Sequence, residues 1–214
     1  MIIAILGGTG NLGKGFAIRL GKIGYEIVIG SRSLRKAEEK AKEYLNIVRD
    51  ANIYGLENSK AAKVCDIAIF AIPWEYAFEM AEKLKENLDG KIVVSPLVPM
   101  KKIGDVFVYV RLAEGSAAEK LAKILDGSKV VSAYHTIPAR RFAKMDEKFE
   151  WDVPVCADDK YAKKAIIELT NKIEGLRALD AGPLSNSYLI ESLTPLLLNI
   201  MSKNNLRELG IRFV

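Results

Sequence analysis

Residues 1–16 read MIIAILGGTGNLGKGF. An apolar run from Ile2 to Leu6 breaks into Gly8-Thr9-Gly10-Asn11-Leu12-Gly13, and an amphipathic stretch follows without a gap. A G-x-G-x-x-G string placed after a strand and at the opening of a helix predicts a βα turn that cradles a dinucleotide pyrophosphate. Gly8 is assigned the tight turn, Gly10 the close approach of backbone to phosphate, and Gly13 the close packing of helix on strand. The helix N-terminus adds unpaired N–H groups and a positive dipole end. Gly8 to Lys14 also spells G-x-x-x-x-G-K, the opening of a P-loop. That motif requires Ser or Thr next, to hold Mg²⁺, and Gly15 stands there instead. The P-loop reading fails.

Outward from this stretch, short apolar runs alternate with longer amphipathic ones, the pattern of βαβ units and a parallel sheet. Helices are expected over 11–23, 33–50 (with Ser33 as N-cap), 58–64, 74–88, 116–125 and 187–202. Strands are expected over 25–29, at 53–54, and over 66–72, 91–95 and 130–134, the last delivering His135. Segments 151–157, 160–173 and 176–179 form a further strand–helix–strand, while 103–111 is apolar but ambiguous. The fold class is α/β: a doubly wound, mainly parallel Rossmann-type sheet with a small C-terminal helical segment. Residues 1–182 are expected to form the nucleotide-binding domain and 183–214 a helical segment that docks on it.

Of the 214 residues, 50% are hydrophobic and 28% charged, the profile of a globular chain with room for a substantial core. The first residues already read as a structural strand, so no signal or transit segment is expected. The longest late apolar stretch, 193–201, is too short to span a bilayer. Two cysteines, Cys65 and Cys156, and one histidine fit no metal-ligand spacing, so no metal and a cytoplasmic location are expected. The net charge of +5 suits a Lys/Glu-rich solvated surface or a site that gathers anions. No basic run interleaves with aromatics, so nucleic acid is not an expected partner.

The end of the second strand reads Ile29-Gly30-Ser31-Arg32-Ser33-Leu34-Arg35-Lys36. An NAD site places a carboxylate here, on the ribose 2′-hydroxyl. This chain offers two hydroxyls and three cations. Cations in a helix's first turn oppose its dipole, so their presence calls for a ligand. Two charge-assisted hydrogen bonds to a 2′-phosphate would favour NADP over NAD by roughly 10²–10⁴-fold.

A second reactant in such a fold sits beyond the carboxyl ends of the strands. Three proline-stiffened apolar segments arrive there: Ile72-Pro73-Trp74, Pro96-Leu97-Val98-Pro99 and His135-Thr136-Ile137-Pro138-Ala139. None supplies a nucleophile–base constellation. Hydride transfer suits this poverty of acids and bases, because it asks mainly that two rings be held at near-attack distance. His135 is as readily a structural histidine as a ligand contact, and no general base is assigned.

The strings GGTGNLGKG, GSR, IPW, VSPLVP, HTIPA, WDVPVC, DAGPLSNS, ESLTPLLLNI and ELGI run nearly the whole chain in order. Together they resemble the NADP reductases dependent on coenzyme F420, a deazaflavin. The resemblance implies reversible hydride transfer between reduced F420 and NADP, with both coenzymes bound. It places Thr9, Gly10, Asn11 and Leu12 at the pyrophosphate, Ser31, Arg32 and Lys36 at the 2′-phosphate, and Ile72, Pro73, Val98 and Ala139 near the nicotinamide. The deazaflavin is expected against His135, Thr136, Ile137 and Pro138, with Leu209 from the tail closing the pocket and backbone N–H groups near 136–139 meeting charge on the pyrimidine edge. The phosphate and glutamate tail of F420 give the positive charge a second use. Two other readings stay open: an NADPH-dependent reductase of a small imine, keto acid or metal complex, and a non-catalytic NADP-binding sensor. The apolar excess of 192–200 points to a homodimer.

Overall fold

The computed structural model describes residues 1–214. Its centre is a six-stranded, all-parallel sheet built from β1 (Ile2–Leu6), β2 (Glu26–Ser31), β3 (Asn52–Glu57), β4 (Ile67–Phe70), β5 (Ile92–Ser95) and β8 (Lys129–Ser132). The order is β3-β2-β1-β4-β5-β8. Helices α1 (Asn11–Lys22) and α2 (Leu34–Leu45) carry the chain outward from β1 to β3; α3 (Asn58–Val64) returns it to β4 on the other side of β1, and α4 (Trp74–Leu88) leads on to β5. The order therefore reverses between β1 and β4, and a crevice opens beyond their carboxyl ends, where ligands of such sheets bind.

The apolar runs are continuous because both sheet faces are covered. Ile3 and Ile5 of β1 face one core with Phe16, Ile27 and Ile29, whereas Ala4 and Leu6 face the other with Val28, Ala68 and Phe70. This alternation is the two-residue period of a strand. The charged helix after β2 is shorter than its composition suggests. Ser33 caps it, its Oγ accepting from the Lys36 N–H at 3.4 Å, but it ends at Leu45, before the expected Asp50.

The ambiguous stretch is an antiparallel hairpin, β6 (Met100–Ile103) and β7 (Val106–Tyr109), turning at Gly104 with φ +59°. The chain then runs through α5 (Ala117–Ile124) to β8 and a short helix not anticipated from sequence, α6 (Ala139–Phe142). Strands β9 (Trp151–Val155) and β10 (Leu176–Asp180), joined by α7 (Lys160–Asn171), form a separate parallel pair. A bridge of two hydrogen bonds between Ser132 and Cys156, 2.9 and 3.0 Å, links the chain beside the pair to the main sheet, and the pair shares the core of Ile3, Ile5 and Val131 through Val153 and Val155.

The chain closes with α8 (Ser187–Asn204), which lies along the β6–β7 hairpin and α5. Three side chains of α8 fix it there. Glu191 accepts from the N–H groups of Ala117 (3.0 Å) and Ala118 (3.1 Å) and from the Tyr109 hydroxyl (2.7 Å). Thr194 donates to the His135 carbonyl at 2.8 Å. The Asn199 amide pairs with both backbone groups of Phe107, at 2.7 and 2.8 Å, as a neighbouring strand would. No helix is long and apolar enough to cross a membrane.

Candidate active site

The glycine-rich turn follows β1 directly. Its left-handed residue is Gly7, at φ +71°, one position before the Gly8 that opens the motif. Gly8 serves close packing: its N–H donates to the Ile5 and Gly30 carbonyls, both at 3.0 Å, and a β-carbon on it would sit 2.7 Å from the Ile5 oxygen. A β-carbon on Gly13 would lie 2.5 Å from the Gly8 backbone, so α1 rests on the turn only because both residues are glycine. Around Gly10, by contrast, a β-carbon would meet nothing within 4 Å. Gly10 is the N-cap of α1, with no side-chain capping bond, and the helix N–H groups open onto that free space. Asn11 is exposed beside it, whereas Leu12 is half-buried and packs against the core.

Two residues that the motif does not contain hold the turn in place. Buried Asn58 accepts from the Gly7 N–H at 3.2 Å, and Tyr44 donates its hydroxyl to the Gly8 carbonyl at 3.1 Å. Gly30 leaves the room that Asn58 needs, since a β-carbon there would lie 2.6 Å from its Oδ1.

Thr9, Ser31, Arg32, Ser33 and Lys36 line a cleft of about 430 Å³ beside this turn. Ser31 is buried and its Oγ accepts from the Ser33 N–H at 3.3 Å. Of the three cations expected here, Arg35 turns away to pair with Glu39 at 2.6 Å and does not line the cleft. Arg32 and Lys36 do line it and are committed to no carboxylate.

Ile72 and Pro73 border this cleft and also a hollow of about 320 Å³, where Val98 and Thr194 face them. Thr194 in turn lines a third cleft, of about 810 Å³, with all five residues from His135 to Ala139, Leu197 and Leu198 of α8, and Leu209. The three spaces are thus neighbours, each sharing lining residues with the next. They gather the residues expected at the phosphate, at the nicotinamide and at the second ring in that order, with Ala139 on the side of the second ring.

The His135 loop is held under strain. Tyr134 has φ +71°, a conformation that costs a non-glycine residue of order 1–3 kcal/mol. Its hydroxyl pairs with Thr170 Oγ1 at 2.6 Å and its ring packs edge-on against Phe16, which offsets that cost. His135 itself is buried, with Nε2 3.4 Å from Ser132 Oγ, and burial pushes its pKa down to about 3. The imidazole is neutral at physiological pH. Of the backbone donors from His135 to Ala139, the Ile137 N–H is taken by the Tyr134 carbonyl and Pro138 has none, leaving those of His135, Thr136 and Ala139 unpaired.

Beneath the loop, buried Arg19 donates to the carbonyls of Phe142 (2.9 Å) and Lys144 (2.6 Å) and lies over the Phe142 and Phe149 rings. A cation at the end of α6 suits the helix dipole. A β-carbon on Gly15 would overlap the Phe142 ring, so the residue that rules out a P-loop is also the one that admits α6 against α1. The tail is anchored on β9, where the Asp152 N–H donates to the Ile211 carbonyl at 2.7 Å and its carboxylate accepts from the Phe213 N–H at 2.6 Å. Arg177 grips the same carboxylate through two bonds of 2.7 Å. This anchoring sets Leu209 at the cleft, its N–H 3.4 Å from Met201 Sδ.

A family model described as NADP oxidoreductase coenzyme F420-dependent matches residues 2–99. The F420-dependent NADP reductase of Methanocaldococcus jannaschii is 44% identical over 99% of this chain and 97% of its own length. The chain belongs to the F420-dependent NADP reductase family. A second such reductase, from Methanothermobacter marburgensis, is 37% identical over the same shares of the two chains. A crystal structure from Arthrobacter sp. FB24 superposes with a TM-score of 0.84 at 20% identity, covering 99% of this chain and 98% of the other, and so shares the fold. The family model ends at Val98-Pro99, before the His135 loop. The two reductases cover that loop and α8 as well, so the family match extends over all three neighbouring clefts.

Proposed function

We propose that this chain catalyses reversible hydride transfer between reduced coenzyme F420 and NADP⁺. One observation carries the reading: the hollow at Ile72, Pro73 and Val98 and the cleft at His135–Ala139 share Thr194 as a common wall. Two flat rings seated there would lie side by side. The chain's own residues fit both coenzymes. The free space at Gly10, with Thr9, Asn11 and Leu12 at the helix N-terminus and Gly8 and Gly13 shaping the turn, suits a pyrophosphate. Uncommitted Arg32 and Lys36 with Ser31 suit a 2′-phosphate.

Bound together, the coenzymes supply the reacting atoms, nicotinamide C4 and deazaflavin C5. The protein positions them and excludes water. Ile72, Pro73, Val98 and Ala139 confine the nicotinamide. His135, Thr136, Ile137, Pro138 and Leu209 confine the deazaflavin, and the unpaired N–H groups of Thr136 and Ala139 are available to charge on its pyrimidine edge. His135, neutral and buried, is no proton donor near neutrality, which weighs against a keto-acid or imine reductase needing a general acid. Residues 183–214 act as the segment that closes the second pocket on the nucleotide-binding domain, residues 1–182.

The test is to mix the protein with NADPH and oxidised F420 and follow the deazaflavin's visible absorption. Bleaching matched to NADPH consumption is expected; no reaction in either direction, with NADP still bound, overturns the proposal in favour of a sensor.

The assembly is a homodimer on this reading. Leu189, Leu196 and Ile200 are exposed on α8, as are Ile103 and Val108 on the hairpin beside it, an apolar surface suited to self-pairing. Light scattering should give twice the chain mass of 23.7 kDa. The location is cytoplasmic, in keeping with two buried free thiols.

A further inference from the structure

The unit of β9, α7 and β10 contributes no residue to the walls of the three clefts. It nevertheless reaches the 810 Å³ cleft from behind. Thr170 on α7 is fully buried, and its hydroxyl donates to the Ile166 carbonyl at 2.7 Å. That hydrogen is spent, so in the 2.6 Å contact with Tyr134 the tyrosine hydroxyl donates and Thr170 Oγ1 accepts. Tyr134 stands immediately before the cleft-lining run His135–Ala139 and lines no cleft itself.

Three features of Tyr134 shape that run. Its left-handed backbone, φ +71°, turns the chain as it leaves β8. Its carbonyl accepts from the Ile137 N–H at 3.4 Å and closes the turn, and its hydroxyl ties the turn to α7. Glycine or asparagine would take this backbone more cheaply, but neither has a side chain long enough to reach Thr170, 36 positions further along. The Tyr134 ring also packs on Phe16, with 4.8 Å between centroids, and Phe16 meets Phe142 at the end of α6 at 5.2 Å. One side chain of α1 thus backs both ends of the run, while α7 holds its start.

We infer that Tyr134 and Thr170 are positioning residues for the second coenzyme: the hydrogen bond between them holds the bend that presents His135–Ala139 to the cleft. The inference rests on the hydride-transfer reading and adds to it two residues that line neither coenzyme's cleft. Without the bond, Tyr134 keeps its strained backbone and loses the polar contact that opposes relaxation. The run then drifts toward an ordinary backbone, and one wall of the cleft moves with it. The nucleotide cleft, walled by the β1 turn, the end of β2 and α4, stays as it is.

The experiment measures dissociation constants for F420, from deazaflavin fluorescence, and for NADP⁺, by calorimetry, well below each variant's melting temperature. Tyr134→Phe and Thr170→Val each remove the bond and keep the packing shape. Each should weaken F420 binding by roughly 3- to 10-fold, the span of one buried hydrogen bond, and leave NADP⁺ binding unchanged. The double variant should be no weaker than either single one, because the same bond is lost only once. Thr170→Ser keeps the acceptor and should bind F420 as wild type does. Losses that add in the double variant, or that fall equally on the two coenzymes, overturn the inference. So does a lower melting temperature with both constants unchanged, the mark of a merely structural bond. The two readings fail separately. Wild type that binds NADP⁺ but neither binds nor reduces F420 removes hydride transfer; wild type that turns over beside variants of unchanged affinity removes only the positioning role.

Discussion

Thr194 Oγ1 donates to the carbonyl of His135 at 2.8 Å, across 59 positions of sequence. This bond joins α8 to the strained loop and stands at the boundary between the two ring-sized spaces. Replacing Thr194 with Val keeps the shape and leaves a carbonyl unpaired, at a cost of about 1–3 kcal/mol. The KM for F420 should rise roughly 5- to 100-fold in steady-state assays, with a much smaller change for NADP.

Arg32 and Lys36 present charge to the nucleotide cleft unpaired, since Glu79, the carboxylate that also lines it, is taken by Lys83. Arg32→Ala should raise the KM for NADP by roughly 10- to 100-fold, the loss of one charge-assisted bond of about 1.5–3 kcal/mol, and should change the weaker NAD kinetics far less. Equal effects on the two nucleotides would remove the assignment.

Gly13→Ala tests the packing of α1 on the turn. Its new methyl would lie 2.5 Å from the Gly8 backbone, where no side chain can yield. Overpacking of this kind costs about 1–3 kcal/mol, or roughly 2–12 °C in melting temperature for a chain of this size. NADP affinity should fall with it, because the turn must move.

Glu191 is fully buried, and burial pushes its pKa up to about 7 against the pull of the Ala117 and Ala118 N–H groups and the Tyr109 hydroxyl. An unfolded glutamate titrates near 4.3, so between about pH 4.5 and 7 the native state holds a proton that the unfolded state has lost. Stability contributed by this group therefore declines as pH rises through that window and is flat above it. His135 acts in the opposite sense: neutral when folded down to about pH 3, it lowers stability as pH falls below about 6.5. The raw profile mixes the two, so the measurement is the difference between wild type and Glu191→Gln by thermal melts. Relative to the variant, wild type should lose about 2–4 kcal/mol between pH 4.5 and 7.5. A constant difference would show that Glu191 is ionised throughout.

The run from β1 to the start of α2 was legible because three local signals agree there: a buried apolar run, glycines at fixed spacing, and a hydroxyl cap at Ser33. Gly7 and Gly8 are both glycine, and the spacing rule does not say which takes the positive φ; folding gives it to Gly7. The β6–β7 hairpin escaped because its alternation is interrupted by Lys101, Lys102, Gly104 and Asp105, and its support comes from Asn199, 92 residues away. Arg35 belongs by composition to the three cations at the strand end, but its Glu39 partner, one helical turn on, takes it away from the cleft. Asn58, Tyr44 and Thr194 carry no motif; their roles are defined only by backbone groups that folding brings near. The His135 loop was placed correctly at a strand end, yet the strain at Tyr134 and the Arg19 support beneath α6 have no sequence signature.

Glu191, Thr194 and Asn199 fasten α8 to three separate parts of the chain: the start of α5, the His135 loop and the hairpin. Their spacing makes the helix a phase gauge. One residue inserted between Glu191 and Asn199 would rotate everything beyond it by about 100° and advance it by 1.5 Å. With Glu191 still seated on α5, Asn199 would then turn away from Phe107. Between these anchors the helix is therefore barred from any change in length.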